Sequence, residues 1–109
     1  MGREAIGELE HLILIAVLRL GDGAYGAAIV DELDAHATRP ILRPAVYTAL
    51  RRLEAKGLLT SEMGEPTPER GGRAKRFFRL EPEAVARLQE SRRTLLSLWD
   101  GVTATLDEA

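Results

Sequence analysis

Apolar residues recur at three- and four-residue steps in three stretches of the first half of the chain, and this spacing predicts three helices. They are expected over about residues 7–20, 25–36 and 44–56, separated by a glycine-rich turn at 21–23 and a break at 38–40. Pro44 suits a helix start, and Gly57 suits the left-handed residue that ends a helix. Two short strands, 58–63 and 75–80, follow, and the segment 64–74 between them is expected to be a long hairpin loop because it holds two prolines and three glycines.

The first predicted helix is apolar on two sides. Its main stripe is formed by Leu9, Leu12, Ile13, Ala16, Val17 and Leu20. Leu14 and Leu18 point the opposite way, with Ile15 between them. The second apolar side must be shielded from water, either by another subunit or by other parts of the same chain that surround the helix unusually completely.

A last helix is predicted from Pro82 to Leu106, a length of about 37 Å at 1.5 Å per residue. It carries a seam with the 3-4 spacing of a heptad repeat, formed by Val85, Leu88, Arg92, Leu95, Trp99, Val102 and Leu106. Gly101 weakens this helix by roughly 1 kcal/mol relative to alanine. The whole pattern predicts a mainly α fold of the α+β type: a winged helix-turn-helix domain over residues 1–80 and a long C-terminal dimerisation helix over residues 81–109.

Charge is distributed unevenly along the chain. The formal net charge is −2, but residues 39–79 carry a net charge of +6, whereas residues 1–38 carry −5 and residues 80–109 carry −3. A basic middle third is what binding to a phosphate backbone requires. A solvated basic surface would give the same distribution, so charge alone leaves both interpretations open.

The third predicted helix is expected to lie in the major groove of DNA, and the hairpin loop is expected to be a wing that makes a second contact. Thr48 and Arg51 lie on the side of this helix opposite its buried stripe and are candidates for contact with base edges. Arg43, Tyr47 and Arg52 are candidates for phosphate contact. The wing contributes Arg70, Arg73, Lys75 and Arg76, which can reach a phosphate or a narrow minor groove. The alternative for all these basic residues is that they only confer solubility.

The C-terminal seam, together with Leu14, Ile15 and Leu18, is the predicted interface of a homodimer, because an isolated amphipathic helix would expose a large apolar surface. Two-fold symmetry would place two recognition helices roughly 34 Å apart on a palindromic site in duplex DNA. The alternative is that the last helix folds back onto its own domain. Trp99 could meet its symmetry mate and clamp a flat aromatic effector, or be a core residue; Arg92 could bind an anion, pair with an acidic residue of the other subunit, or point to solvent.

Other classes of function find little support. The sequence contains no cysteine, which suggests a reducing cytoplasm, and its apolar runs are too short to span a membrane. The two histidines, His11 and His36, lie on different predicted helices without a Ser or Cys partner suggested by spacing. No spacing indicates a metal site or a nucleotide loop, so neither an enzyme nor a bound cofactor is expected.

Three blocks resemble the PadR-type transcription regulators: GELEHLIL at 7–14 with GAYG at 23–26, AVYTALRRLEAKGLL at 45–59, and GRAKRFFRL at 72–80. The resemblance covers about residues 7–106, and the single C-terminal helix is similar to that of the shorter subfamily. It implies a homodimeric winged helix protein, usually a repressor, and many relatives in the family release DNA when a small molecule binds. Two positions depart from the family pattern: Leu42 stands where a capping Ser is common, and Pro44 replaces the usual Gly.

The resulting hypothesis is a sequence-specific DNA-binding regulator, a repressor released by a small-molecule effector. The main alternative is a winged helix used for contact with other proteins and not with DNA. A third class is a ligand sensor that acts mainly through its pocket.

Overall fold

The computed structural model describes residues 4–65 and 74–109, and it has the predicted mainly α fold with one small sheet. Its helices are α1 (Glu8–Leu20), α2 (Gly26–His36), α3 (Arg43–Ala55), α4 (Pro82–Trp99) and α5 (Thr103–Asp107), and its strands are β1 (Leu59–Met63) and β2 (Arg76–Leu80). A single 3₁₀ turn, Gly21–Gly23, joins α1 to α2. The first three helices and both strands begin and end within one residue of the predicted bounds. Within the described ranges, no helix combines the length and apolarity that crossing a bilayer requires.

The core forms where α1 is enclosed by α2, α3, β2 and the start of α4. The buried arc of α1 therefore includes Ile13, Leu14, Ala16 and Val17, whereas Leu12 is partly exposed. The prediction that Leu14 lies at a dimer interface is wrong, because its side chain is 0% exposed within its own chain. The apolar spacing locates the buried stripe of α1 to within one residue. It does not show that several neighbouring elements surround the helix and extend its buried surface to Leu14.

Helices α2 and α3 are in close contact at Gly26, the first residue of α2. The ring of Tyr47 on α3 covers this glycine so closely that a Cβ atom at position 26 would lie 2.7 Å from the Tyr47 hydroxyl oxygen. Real Cβ atoms essentially never show such a contact, so any larger residue at position 26 must displace the ring. The helix-turn-helix packing seen here therefore leaves no room for a side chain at position 26 unless the ring of Tyr47 moves.

The two strands pair antiparallel in the register Leu59↔Leu80 to Met63↔Arg76. Phe78 points into the core and its amide donates a hydrogen bond to the Ala24 carbonyl at 2.8 Å. Phe77, on the other side of β2, makes an edge contact with Tyr25, with ring centroids 5.6 Å apart. These two contacts hold the hairpin against the segment that leads into α2.

Helix α4 joins the core only through its first turns, where Ala84 and Leu88 are buried. The predicted continuous helix to Leu106 is wrong: α4 ends at Trp99, Gly101 adopts a left-handed conformation with φ +80°, and the short α5 follows. Val102 and Leu106 therefore do not continue the α4 seam in line. From Arg92 to the end of the chain every side chain is exposed, so little packing within the chain offsets the unfavourable effect of glycine on the helix.

Candidate nucleic-acid interface

The exposed face of α3 brings together the two residues predicted to contact bases. The opposite side of this helix is fixed by Val46, Leu50 and Leu53, which are almost completely buried. Arg51 is exposed, and its Nη2 atom lies 3.4 Å from the Thr48 hydroxyl oxygen in a long hydrogen bond. The two side chains thus form one polar patch on the outer surface of the helix.

The first turn of α3 lacks a side-chain cap, as expected for Leu42 in the capping position. Instead, the Leu42 carbonyl accepts hydrogen bonds from the amides of Ala45 and Val46, at 3.0 and 3.2 Å. The helix begins at Arg43, one residue before the predicted start, with Pro44 inside its first turn. The exposed Arg43 side chain is therefore presented at the amino end of the helix.

One flank of α3 faces the hairpin across a crevice of about 610 Å³. Of the predicted DNA-contact residues, Tyr47, Arg51, Lys75 and Arg76 line this crevice. Thr48 lies on the adjacent outer face of the helix. Arg70 and Arg73 lie outside the described residues. The structure thus gathers contact candidates from two distant parts of the sequence around one opening.

The basic residues at the base of the hairpin are held by specific neighbours. Lys75 Nζ lies 4.5 Å from the centre of the Tyr25 ring, a cation–π contact. An Arg76 N–H donates to Ser61 Oγ at 3.0 Å, and the Ser61 hydroxyl donates to a Glu54 carboxylate oxygen at 2.8 Å. Sequence reasoning missed Tyr25 as a platform for Lys75, although the GAYG block already marked its position.

Ion pairing separates the basic residues of the middle third into two groups. In the described ranges, Arg39, Lys56 and Arg79 each lie within 4.0 Å of a carboxylate, from Glu8, Glu10 and Glu62 respectively. The described basic residues predicted to contact DNA form no such ion pair; they are Arg43, Arg51, Arg52, Lys75 and Arg76. Among the described basic residues of the middle third, those without a carboxylate within 4.0 Å therefore lie around the face of α3 and the base of the hairpin.

The other flank of α3 contacts the start of α1 through a buried ion pair that sequence reasoning also missed. Lys56 Nζ donates to both carboxylate oxygens of Glu10, at 2.8 and 3.0 Å. Burial raises the pKa of Glu10, but the hydrogen bonds from Lys56 and the Gly7 amide, with the charge of Arg52, outweigh burial and hold the pKa below the ordinary glutamate value. Its partner lies 46 residues along the chain, so no local pattern could have identified this pair.

A second opening, the α1–α4 groove, has a volume of about 590 Å³. It gathers most of the residues predicted for the dimer interface: Ile15, Leu18, Val85, Leu88, Arg92, Leu95 and Trp99. Leu18 is 58% exposed and Trp99 is 43% exposed. Both residues predicted to bind an effector, Trp99 and Arg92, line this groove, whereas Leu14 lies in the core and Val102 and Leu106 lie beyond the helix break.

Comparison with known proteins agrees with this geometry. Residues 14–90 match the model of the family described as "Transcriptional regulator PadR-like family". The chain is 40% identical over 74 residues to a transcriptional regulator of Mycobacterium tuberculosis, an alignment that covers 68% of this chain and 64% of that relative, which is less than two thirds of its length. A solved PadR family regulator from Eggerthella lenta is 32% identical with a TM-score of 0.66, over 94% of this chain and 88% of that one.

A further solved structure, a PadR family transcription regulator from Clostridium difficile, has a TM-score of 0.75 at 23% identity, and covers 92% of this chain and 99% of that chain. At this identity the similarity shows the fold alone. These relatives are all described as regulators of transcription, and none of them is described as an enzyme. In the part of the chain that the structure describes, no cluster of three or more His, Cys, Asp or Glu side chains could hold a metal ion.

Proposed function

The chain belongs to the PadR-like family of transcriptional regulators, and from this membership we propose that it is a sequence-specific DNA-binding repressor. The observation that carries the proposal is the division of the basic residues by ion pairing. Within residues 39–65 and 74–79, carboxylates compensate Arg39, Lys56 and Arg79, while the basic residues without such a partner lie on α3 and at the base of the hairpin. A surface of uncompensated cations beside an exposed helix is suited to a phosphate backbone and the major groove.

In this proposal, Arg51 and Thr48 contact base edges, because they share the exposed face of α3. The remaining contacts are to phosphates and set the orientation of the helix on the duplex. They come from Arg43, Tyr47, Arg52, Lys75 and Arg76, with Arg70 and Arg73 retained as wing contacts from the sequence alone.

The test uses a duplex recovered by incubating the purified protein with fragmented DNA from its source. Arg51→Ala should weaken binding to this duplex by about 1–3 kcal/mol and relax its sequence preference. Lys75→Ala should weaken binding to all duplexes and reduce the slope of log affinity against log salt by about 0.9 per protomer, or about 1.8 for a dimer. Arg93→Ala, which removes the same charge from an exposed position on α4, is the matched control and should bind like the wild type.

If the wild type shows no salt-sensitive binding to any duplex, the proposal fails and the alternative of a protein–protein contact module replaces it. Equal losses for Arg51→Ala and Arg93→Ala would indicate a general charge effect and would remove Arg51 from the base-contact role.

We further propose that the chain acts as a homodimer that pairs through the α1–α4 groove. Leu18 and Leu95 are 58% and 48% exposed on opposite walls of this groove, which is an unfavourable arrangement for an isolated chain in water. A two-fold dimer covers them and places two α3 helices on successive turns of a palindromic operator. We assign DNA binding to residues 1–80 and dimerisation to residues 81–109. This is a division of roles and not of separate folding units, because Ala84 and Leu88 pack into the same core as α1.

Sedimentation equilibrium tests the dimer. Leu18→Glu should shift the protein towards monomer and reduce operator affinity, because burying a carboxylate in a mostly apolar interface costs free energy. Met63→Glu is the matched control for oligomeric state, since Met63 is similarly exposed, at 54%, but lies on β1 away from the groove. A wild-type chain that stays monomeric, or a Leu18→Glu chain that stays dimeric, contradicts the proposed interface.

Finally, we propose that an aromatic small molecule binds in the groove beside Trp99 and releases DNA. Support comes from the groove volume of about 590 Å³, which lies within the usual range for ligand pockets of about 300–1,000 Å³, and from the guanidinium of Arg92 on its wall. Planar aromatic compounds that bind there should quench Trp99 fluorescence and lower affinity for the recovered duplex. Quenching without loss of DNA affinity would separate ligand binding from regulation.

A further inference from the structure

The carboxyl end of α3 is attached to the beginning of α1 by the Glu10–Lys56 ion pair. Lys56 is the residue that follows the last turn of α3, and its ammonium group donates to the Ala5 carbonyl at 2.8 Å as well as to both Glu10 oxygens. Glu10 also accepts a hydrogen bond from the Gly7 amide at 2.8 Å. Among the residues that the structure describes, Glu10 is the one charged residue that is almost completely buried, at 6% exposed.

Such a pair contributes to position more than to net stability. Replacing a buried ion pair by apolar groups of similar size is often neutral or stabilising, because desolvation offsets the attraction between the charges. Breaking the pair by removing one partner is strongly destabilising, because the other charge is left buried. The geometry of the hydrogen bonds, however, allows the end of α3 only a narrow range of positions relative to α1.

Lys56 lies in the basic middle third but is poorly placed to contact DNA. Its side chain is 19% exposed, and its three donated hydrogen bonds match the three protons of an ammonium group. It lies on the flank of α3 that faces α1, whereas Arg51 lies on the outer face. Its charge is already neutralised by Glu10 within the chain, so Lys56 is poorly suited to bind a phosphate.

Helix α1 connects this anchor with the α1–α4 groove. Glu10 lies in its first turn, and Leu18 lies eight residues further along, about 12 Å away at 1.5 Å per residue. Both are on one uninterrupted helix of 13 residues. If the groove is the dimer interface, the anchor determines where each α3 helix stands relative to the two-fold axis.

We propose that Glu10 and Lys56 are positioning residues that set the separation of the two recognition helices and therefore the half-site spacing that the dimer accepts. This inference rests on the proposed function, since it requires a dimer that binds two half-sites. One inserted base pair moves the half-sites apart by about 3.4 Å and rotates them, so a rigid dimer should discriminate strongly against it. A dimer whose α3 helices have lost the anchor should discriminate less.

The experiment compares the recovered operator duplex with the same duplex carrying one base pair inserted at its centre. The double variant E10Q/K56M removes both charges while keeping similar side-chain volumes, and the glutamine amide oxygen remains an acceptor for the Gly7 amide. We expect a folded dimer, operator affinity lowered on the order of tenfold, an unchanged salt slope, and a smaller affinity ratio between the two duplexes. K56R, which keeps the ion pair, should preserve the wild-type ratio.

Three outcomes would overturn the inference. Wild-type affinity and spacing preference in E10Q/K56M would show that the anchor does not position α3. A salt slope reduced by about 0.9 per protomer, or about 1.8 for the dimer, as in the comparison variant Lys75→Met, would show that Lys56 contacts a phosphate. Lowered affinity with an unchanged preference for spacing would assign the pair to another role.

If E10Q/K56M does not fold, Glu10→Gln alone is the second variant, because the charge that it leaves is on Lys56, which is 19% exposed and can reach water, and the glutamine keeps an oxygen for both Gly7 and Lys56. It should reduce the preference for spacing in the same direction by a smaller factor, and an unchanged preference would overturn the inference. Failure of the proposed function is separate: it would appear as absence of duplex binding by the wild type or as its sedimentation as a monomer.

Discussion

Substitution of Gly26 by alanine tests the close contact between the start of α2 and the Tyr47 ring on α3. The new Cβ atom would meet the far end of the Tyr47 ring, 2.7 Å from its hydroxyl oxygen, so the ring must shift. Such overpacking typically costs about 1–3 kcal/mol. Alanine at a helical position also restricts the unfolded chain, which stabilises by about 0.4–1 kcal/mol. The net effect of Gly26→Ala should be a destabilisation of about 1 kcal/mol, or a fall in melting temperature of roughly 4 °C.

A second substitution should reverse the sign of the stability change that Gly26→Ala causes. In a Tyr47→Leu background the terminal ring atoms are absent, so Gly26→Ala should lose its penalty and stabilise by about 0.4–1 kcal/mol. The four proteins of this double-mutant cycle are compared by urea denaturation at one protein concentration, because the stability of a dimer depends on concentration. If Gly26→Ala has the same effect in both backgrounds, the contact with Tyr47 does not determine the need for glycine.

Three further predictions follow from single contacts. Gly101→Ala places a side chain at φ +80°, which costs about 1–2 kcal/mol, so it should disfavour the break after α4 and raise the helical signal in far-ultraviolet circular dichroism. Glu10→Gln should flatten the acid arm of the stability–pH curve: the folded-state pKa of Glu10 is lowered, so its contribution is present above the ordinary glutamate pKa and is lost as pH falls through the lowered value. Tyr25→Leu should weaken duplex binding about as much as Lys75→Ala if the ring positions Lys75, whereas Tyr25→Phe should bind like the wild type; the reverse result would assign the contact to the Tyr25 hydroxyl.

The order of helices and strands could be predicted from the sequence because it depends on local signals. Apolar spacing, Pro44, Gly57 and the proline- and glycine-rich segment between the strands each act within a few residues. The bounds of α1–α3 and of both strands accordingly agree with the structure to within one residue. The fold class follows from that order, since three helices and a hairpin have few ways to share one core.

Features that depend on tertiary neighbours are predicted less well. The helical pattern assigns Leu14 to an interface because it shows the angle of a residue but does not show which element covers it. The heptad spacing extends the predicted helix through Gly101 because it continues to Leu106. In the structure the side chains of α4 from Arg92 onwards remain exposed, so local backbone preference decides where the helix ends.

In the candidate site, too, features that depend on local geometry are predicted and features that depend on distant residues are not. Arg51 and Thr48 could be identified because helical geometry places them opposite the buried stripe. The contact of Lys75 with the Tyr25 ring could not be identified from the sequence, because the two residues are 50 positions apart. The prediction for Arg70 and Arg73 falls outside the described residues. Leu42 and Pro44 left the start of the recognition helix in question, and the structure answers it with backbone hydrogen bonds to the Leu42 carbonyl.

The ion pairs also explain how a chain with a net charge of −2 can present a surface for DNA. Net charge counts every ionisable group equally, whereas a phosphate backbone responds to the cations that carboxylates have not already compensated nearby. The buried pair of Lys56 with Glu10 and the surface pair of Arg79 with Glu62 remove two cations from that count. Within the described part of the basic middle third, the cations that remain without a nearby carboxylate therefore lie around α3 and the base of the hairpin, and the acidic residues do not cancel them.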